Sequence, residues 1–242
     1  KKKKEYYKTN VLGTKNILSC CKKNSIKNFI FASSCSIFSN KIRIVSENSV
    51  TNPISYYGKT KLICEKMITK ELGNKTRFII LRYFNVVGGD VKNNVGEFNT
   101  KDRIFNNFSQ KILLNKPIEI YGNDYKTKDG TCVRDYIHVN DLAEIHKLLL
   151  DNIDNLKNKN VINCSYGKGY SALEIANCFL KLNKNKSFII FKKKRNGDMK
   201  EIMSTNKKLK KIINFKPKYI NLDKMVKSSY EWKKFINKKL MR

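Results

Sequence analysis

Two short apolar runs, Phe29-Ile30-Phe31-Ala32 and Phe78-Ile79-Ile80-Leu81, each stand behind a segment with apolar residues at helical spacing. A run of this length reads as a buried strand, and a helix between two such strands serves as a crossover. The alternation specifies a parallel sheet covered by helices. The helices read over 5–23, through Val11, Ile17, Leu18 and Cys21, and over 57–72, after Pro53. The strands end in Ser33-Ser34 and in Arg82-Tyr83-Phe84-Asn85, which runs on to a Gly88-Gly89 turn.

Farther along, a polar stretch precedes a helix over 102–115 and a strand at Ile118-Glu119-Ile120-Tyr121. A polar loop over 122–135 leads to a strand at Tyr136-Ile137-His138-Val139, with Asp141 expected to cap the helix behind it. Val161-Ile162-Asn163-Cys164 and Phe188-Ile189-Ile190-Phe191 read as further strands. Ser171 and Glu174 form a capping box that opens a helix over 171–182, and helices over 205–213 and 222–237 follow.

The charge restricts partners less than its size suggests. Lys+Arg is 51 against 20 Asp+Glu, net +31, which invites a nucleic-acid reading. Only seven of those 51 are arginine, the residue suited to bidentate base and phosphate recognition, and the lysines are spread along the chain. Lysine filling surface positions is the better account, so nucleic acid is not the expected partner. The Lys192-Lys193-Lys194 run reads as a solvated face. No run approaches the ~18 apolar residues of a membrane helix. The seven cysteines form no C-x-x-C pair, and with two histidines they give no usual zinc spacing, so no metal is expected and a reducing, cytoplasmic setting fits. His138, in an apolar strand, and His146 read as structural.

Tyr57-Gly58-Lys59-Thr60-Lys61 carries the chemistry. Tyr57 and Lys61 are one helical turn apart and share a face. A phenol, with a pKa of ~10, is a poor base at neutral pH, and a nearby ammonium favours its phenolate. A shift of about 3 units corresponds to about 4 kcal/mol and yields a general base near pH 7. Ser34, at the carboxyl end of its strand, stands where an open α/β sheet binds its ligand, and its hydroxyl suits a substrate oxygen.

Strand, Ser-Ser, Tyr-x-x-x-Lys on a helix, then a strand ending in Arg-Tyr-Phe-Asn is an order that resembles the extended short-chain dehydrogenase/reductase family. Gly122-Asn123-Asp124-Tyr125, Asp129-Gly130-Thr131 and Val133-Arg134-Asp135-Tyr136-Ile137-His138-Val139 narrow it to the UDP-glucose/UDP-galactose 4-epimerases. Gly167-Lys168-Gly169-Tyr170-Ser171 and Arg195-Asn196-Gly197-Asp198 agree, and the resemblance runs from about residue 5 to 237.

The resemblance implies NAD as cofactor, a UDP-sugar as substrate, and epimerisation at C4 through a transient 4-keto sugar. Tyr57, Lys61 and Ser34 occupy the catalytic positions. Asn10 and Tyr83 join Tyr57 and Lys61 near the cofactor. Ser36 is a second hydroxyl, and Asn85 matches a substrate-contacting amide. Arg134 and Arg195 match diphosphate ligands, Asp198 a ribose ligand, and Tyr121 a position against the uracil. The substrate helix maps either to Asn106-Asn107-Phe108 or to Asp102-Arg103-Ile104. A homodimer through the helices over 5–23 and 57–72 is expected by analogy.

The sequence contains no G-x-x-G-x-x-G turn for the pyrophosphate. The chain therefore resembles the C-terminal portion of such an enzyme. The expected fold is α/β: a partial Rossmann-like domain, a doubly wound parallel sheet with its N-terminal strands missing, over 1–88. A smaller α/β substrate-binding domain over 89–242 follows, with 133–152 expected to pack back onto the first sheet. Weak cofactor binding and an exposed sheet edge follow from the missing strands. Other members of the family, a nucleotide-sugar dehydratase or a uronate epimerase, remain open, although Ser34-Cys35-Ser36-Ile37 lacks the Asp-Glu pair of the dehydratases. So does a truncated, non-catalytic basic binding protein.

Overall fold

The computed structural model describes residues 2–73, 76–90, 92, 94–98, 103–184, 186–195 and 197–240, and it forms two compact units. The first unit comprises Lys1–Phe84, Lys147–Cys164 and Ser204–Phe215, so two later segments of the chain return to it. Asp102 and Asn196 lie outside the described residues.

In the first unit, β1 (Asn28–Ser34), β3 (Arg77–Tyr83) and β7 (Lys159–Cys164) form a parallel sheet with β3 at the centre. A two-residue strand, β2 (Ile44–Val45), lies in the segment after β1. The N-terminal helical segment consists of α1 (Lys2–Tyr6), a π-helical turn (Tyr7–Leu12) and α2 (Gly13–Lys23). It packs with α3 (Tyr56–Leu72). Leu18 and Cys21 of α2 and Ile68 and Leu72 of α3 close on Phe78 and Ile80 of β3 in one buried cluster. Leu18 and Cys21 supply the apolar face that the helical spacing required, whereas Ile17, read with them, is 55% exposed because it lies on the outer side of α2. The short helix α7 (Lys207–Ile212) packs beside β7.

β1 departs from the expectation of a buried strand. Phe29, Ile30 and Phe31 are half-buried and Ala32 is exposed, and only Ser33 and Ser34 are buried. Among the described residues β3 is the only strand paired with β1, so its outer edge stays open.

The second unit holds β4 (Asn85–Val87), β6 (Val133–His138), β8 (Gly169–Ser171) and β10 (Glu201–Ser204). β4 and β10 pair with β6 in parallel, and β8 pairs with it antiparallel. β5 (Ile118–Tyr121) and β9 (Ile189–Lys192) form a separate parallel pair. Helices α4 (Ile104–Leu113), α6 (Ala172–Leu182) and α8 (Leu222–Leu240) pack together. Phe105 and Phe108 of α4 meet Phe179 of α6 edge-on, with ring centroids 5.8 and 5.9 Å apart. The Ser171–Glu174 capping box opens α6 as the sequence specifies.

Asp141 does not cap the helix behind β6. That helix, α5 (Val139–Asp151), begins two residues earlier, and the His138 ring accepts the Asn140 N–H at 3.1 Å. The Asp141 carboxylate instead accepts the Tyr166 hydroxyl and the backbone N–H groups of Lys218 and Tyr219. A buried carboxylate is satisfied by whichever donors the tertiary fold brings to it, and here these come from distant segments. Together these elements make a Rossmann-like α/β architecture.

Candidate active site

Ser55 fixes the start of α3. Its Oγ accepts the Gly58 N–H at 3.0 Å, which places Tyr57 in the first turn. Lys61 follows one turn later on the same face. Its Nζ lies 5.9 Å from the Tyr57 ring centroid and 4.9 Å from that of Phe31. The ammonium is tethered by donating to the Ala32 carbonyl at 2.9 Å, which joins α3 to the end of β1. Burial lowers the Lys61 pKa from its ordinary value, and the facing Cys64 and Glu65 act to raise it.

Ser34 closes β1. Its Oγ accepts the Ser36 N–H at 3.2 Å and donates to the Ser36 hydroxyl at 3.1 Å. The turn that carries both serines lies hard against α3 because residue 58 is glycine. A Cβ there would stand 2.9 Å from both the Ser36 carbonyl carbon and the Pro53 Cβ, inside any real contact. Tyr83 is the register partner of Ser34 on the neighbouring strand. Burial, with Cys164 beside it, pushes its phenol well above the ordinary value, so it stays protonated.

Asn10 sits in the π-helical turn, a geometry that adds a residue to the turn and recurs at functional sites. Its Nδ2 donates to the Thr60 Oγ at 2.9 Å, and that hydroxyl donates to the Tyr57 carbonyl at 2.8 Å. The Asn10 carbonyl accepts the Cys64 thiol at 3.2 Å. Asn10 is thus bound to the helix of Tyr57 and Lys61 at two points. The first unit therefore gathers Asn10, Ser34, Ser36, Tyr57, Lys61 and Tyr83 around the carboxyl ends of β1 and β3.

The second unit gathers a different set. Arg195 lays its guanidinium 3.8 Å from the Tyr121 ring centroid, a close cation–π stack. The turn after it, with Gly197 at φ +83°, returns the chain so that the Asp198 N–H reaches the Arg195 carbonyl at 3.3 Å. Arg134 donates to the Val133 carbonyl at 2.9 Å, and its Nη2 stands 3.9 Å from the Asp198 carboxylate, a long and weak pair. Arg134, Asp198 and Arg195 all act on the Cys132 thiol, whose pKa burial raises. Asn85 opens β4, and its amide donates to the Asp135 carbonyl at 2.9 Å.

Three participants escape sequence reasoning. Thr60 and Gly58 lie inside the Tyr-x-x-x-Lys spacing, where their types carry no signal alone. Lys194, read as part of a solvated run, pairs with the Asp124 carboxylate at 3.0 Å and lies 4.6 Å from the Tyr125 ring centroid. Its place beside Arg195 was the available clue. His138 is structural: its Nε2 meets the Ser228 hydroxyl at 2.8 Å and its ring stacks on Tyr219 at 4.1 Å. No helix among the described residues is long and apolar enough to cross a membrane.

Comparison with known proteins adds the lineage. A UDP-glucose 4-epimerase of Halalkalibacterium halodurans is 30% identical over 234 residues, which cover 95% of this chain and 70% of that protein. The crystal structure of a UDP-glucose 4-epimerase from Bifidobacterium longum, in complex with NAD+ and UDP, matches with a TM-score of 0.87 at 31% identity, over 96% of this chain and 70% of that one. A UDP-glucose-4-epimerase from Stenotrophomonas maltophila, with bound NAD and formylated UDP-arabinopyranose, matches with a TM-score of 0.91 at 26% identity, over 98% and 72%. Residues 1–165 also match the model of one family, and with the geometry above this establishes that the chain belongs to the NAD dependent epimerase/dehydratase family.

Proposed function

We propose that this chain carries out NAD-dependent epimerisation at C4 of a UDP-hexose, UDP-glucose and UDP-galactose being the pair, through a transient 4-keto sugar. The observation that carries the reading is Tyr57 and Lys61 on one face of α3, with Lys61 tethered to the end of β1 where Ser34 stands. The groups around them fit the nicotinamide half of the cofactor. The Lys61 ammonium, the Asn10 amide and the protonated Tyr83 phenol suit ribose hydroxyls and a carboxamide, and they lie at the carboxyl ends of parallel strands. When bound, NAD supplies a reversible two-electron oxidation at C4.

The protein's residues handle the proton. The Tyr57 phenolate takes it from the 4-hydroxyl as the carbonyl forms, and the same phenol returns it once the 4-keto sugar presents its other face. Lys61 favours the phenolate over the phenol by placing a positive charge beside it. Ser34 donates a hydrogen bond to the sugar O4, with Ser36 behind it in the same turn. The second unit carries groups suited to the nucleotide. Arg134 and Arg195 bind the diphosphate through their planar forks, and the Tyr121 stack preorganises Arg195. Asp198 accepts a ribose hydroxyl. Tyr121 lies against the uracil, and Asn85 contacts the sugar.

A homodimer in a reducing cytoplasm completes the reading. Tyr6, Tyr7, Leu12 and Ile17 of the N-terminal helical segment and Ile63 of α3 are exposed, and a second copy would cover them. The test supplies UDP-galactose to the full-length protein without added NAD and follows UDP-glucose. Equilibration of the two sugars is expected. Failure to form UDP-glucose, or release of a dehydrated keto sugar, would overturn the reading.

A further inference from the structure

Beneath the proposed catalytic groups lies a charged network that the reaction itself does not use. Glu65, on α3 one turn after Lys61, is 5% exposed, and Arg82, on β3 next to Tyr83, is 6% exposed. The Glu65 carboxylate accepts Arg82 Nε at 3.1 Å and Nη2 at 2.8 Å, a two-pronged pair. It also accepts the Ser33 hydroxyl at 2.5 Å. The third arm of the guanidinium donates to the Glu47 carbonyl at 2.8 Å, and the Glu47 carboxylate accepts the Asn163 N–H at 2.9 Å. The Phe38 ring lies 5.2 Å from the same guanidinium.

The register explains the arrangement. Ser33, Arg82 and Asn163 are partners across β1, β3 and β7, and Ser34, Tyr83 and Cys164 form the next row. Successive residues of a strand face opposite sides of the sheet. One row is therefore clamped to α3 through Glu65, and the adjoining row carries Ser34 and Tyr83. A buried ion pair is a poor means to stability, because its desolvation offsets its attraction, and well-packed apolar side chains often do as well or better. Here the pair and Ser33 join three elements, α3, β3 and β1.

We propose that the Glu65–Arg82 pair, with Ser33, is a positioning device that sets α3, and so Tyr57 and Lys61, against the strand ends that carry Ser34 and Tyr83. The proposal rests on the function argued above. Glu65 also faces Lys61, where its charge opposes the effect of burial on the ammonium.

The test separates geometry from stability. In the full-length protein, the double replacement Glu65→Leu with Arg82→Met removes both charges together and leaves no buried ion unpaired. Its melting temperature is expected to match or exceed that of the wild type, while kcat falls by between about 10- and 100-fold and KM stays within about 3-fold. Arg82→Lys, which keeps the charge and loses the fork, is expected to lose kcat in the same way. NMR of tyrosine labelled at Cζ, with the Tyr57 signal assigned from Tyr57→Phe, reads the geometry without turnover, and that signal is expected to shift in both variants. Wild-type kcat together with an unmoved Tyr57 signal would overturn the proposal. An inactive wild type would overturn the function, and the Tyr57 signal alone would then decide the positioning claim.

Discussion

Replacing Gly58 by alanine adds one methyl between the first turn of α3 and the serine turn that follows β1. The new Cβ would stand 2.9 Å from the Ser36 carbonyl carbon and from the Pro53 Cβ, and the Ser36 carbonyl oxygen is nearer still. None of these is the far end of a flexible side chain, so the backbone must yield. Restoring ordinary contact needs a displacement of about 1 Å, the scale at which a misplaced group costs on the order of 100-fold in rate. Stability answers differently. Overpacking costs about 1–3 kcal/mol, and alanine returns ~1 kcal/mol over glycine inside a helix. The net loss is at most about 2 kcal/mol, a melting shift of roughly 4–8 °C for a chain of this size. Steady-state kinetics well below the melting temperature, alongside calorimetry, should therefore show kcat down on the order of 100-fold in a folded protein, equivalent to about 2.7 kcal/mol of barrier. A folded Gly58→Ala variant with kcat within about 3-fold of wild type would refute the claim that the spacing between α3 and the Ser34 turn sets the rate.

Arg134→Lys keeps a charge and loses the planar fork, so KM for the UDP-sugar should rise on the order of 10-fold with kcat little changed, as initial-rate kinetics would show; an unaltered KM would remove Arg134 from the diphosphate site. Burial pushes the His138 pKa down to about 4, against the carboxylates of Asp141 and Asp90, which raise it. Between the ordinary ~6.5 and about 4 the unfolded chain therefore takes up a proton that the folded chain refuses, so this contribution is complete above ~6.5 and falls by about 3 kcal/mol as the pH drops. Urea midpoints across that range should show a flatter slope for His138→Gln, and parallel curves would contradict it. Ser171→Ala removes the acceptor for the Glu174 N–H and the donor to the Asp129 carboxylate and should cost about 1–2 kcal/mol in the same assay, while Glu174→Ala should add a further loss of about 1 kcal/mol, because its carboxylate accepts the residue-171 N–H that alanine keeps.

Periodic and local features were the legible ones. The apolar run at 78–81 lies inside β3, and the Ser171–Glu174 box opens α6 where its chemistry requires. Tyr57 and Lys61 share a face because four residues make about one helical turn. Features set by tertiary contact were not legible. Phe29 to Ala32 is as apolar as a central strand, and the edge position that β1 holds among the described residues was signalled only by the lack of a G-x-x-G-x-x-G turn, not by any local feature. Asp141 follows a strand and precedes a helix, as a cap would, but its partners at 166, 218 and 219 are remote in sequence. The strands β4, β8 and β10 are too short for a period of two to declare itself. The π-helical turn at Asn10 leaves no mark in the pattern. Glu65 offered a faint clue, a carboxylate between Cys64 and Ile68 on the buried side of α3, which calls for a partner such as Arg82.

Tyr57→Phe tests the central claim most directly, since it keeps the ring and removes only the oxygen said to carry the proton. Conversion of UDP-galactose to UDP-glucose by the full-length protein should fall about 10²- to 10⁴-fold, with binding of the UDP-sugar unchanged by calorimetry. Conversion by the folded variant at the wild-type rate would show that another group carries that proton, and the account built on Tyr57 would be wrong.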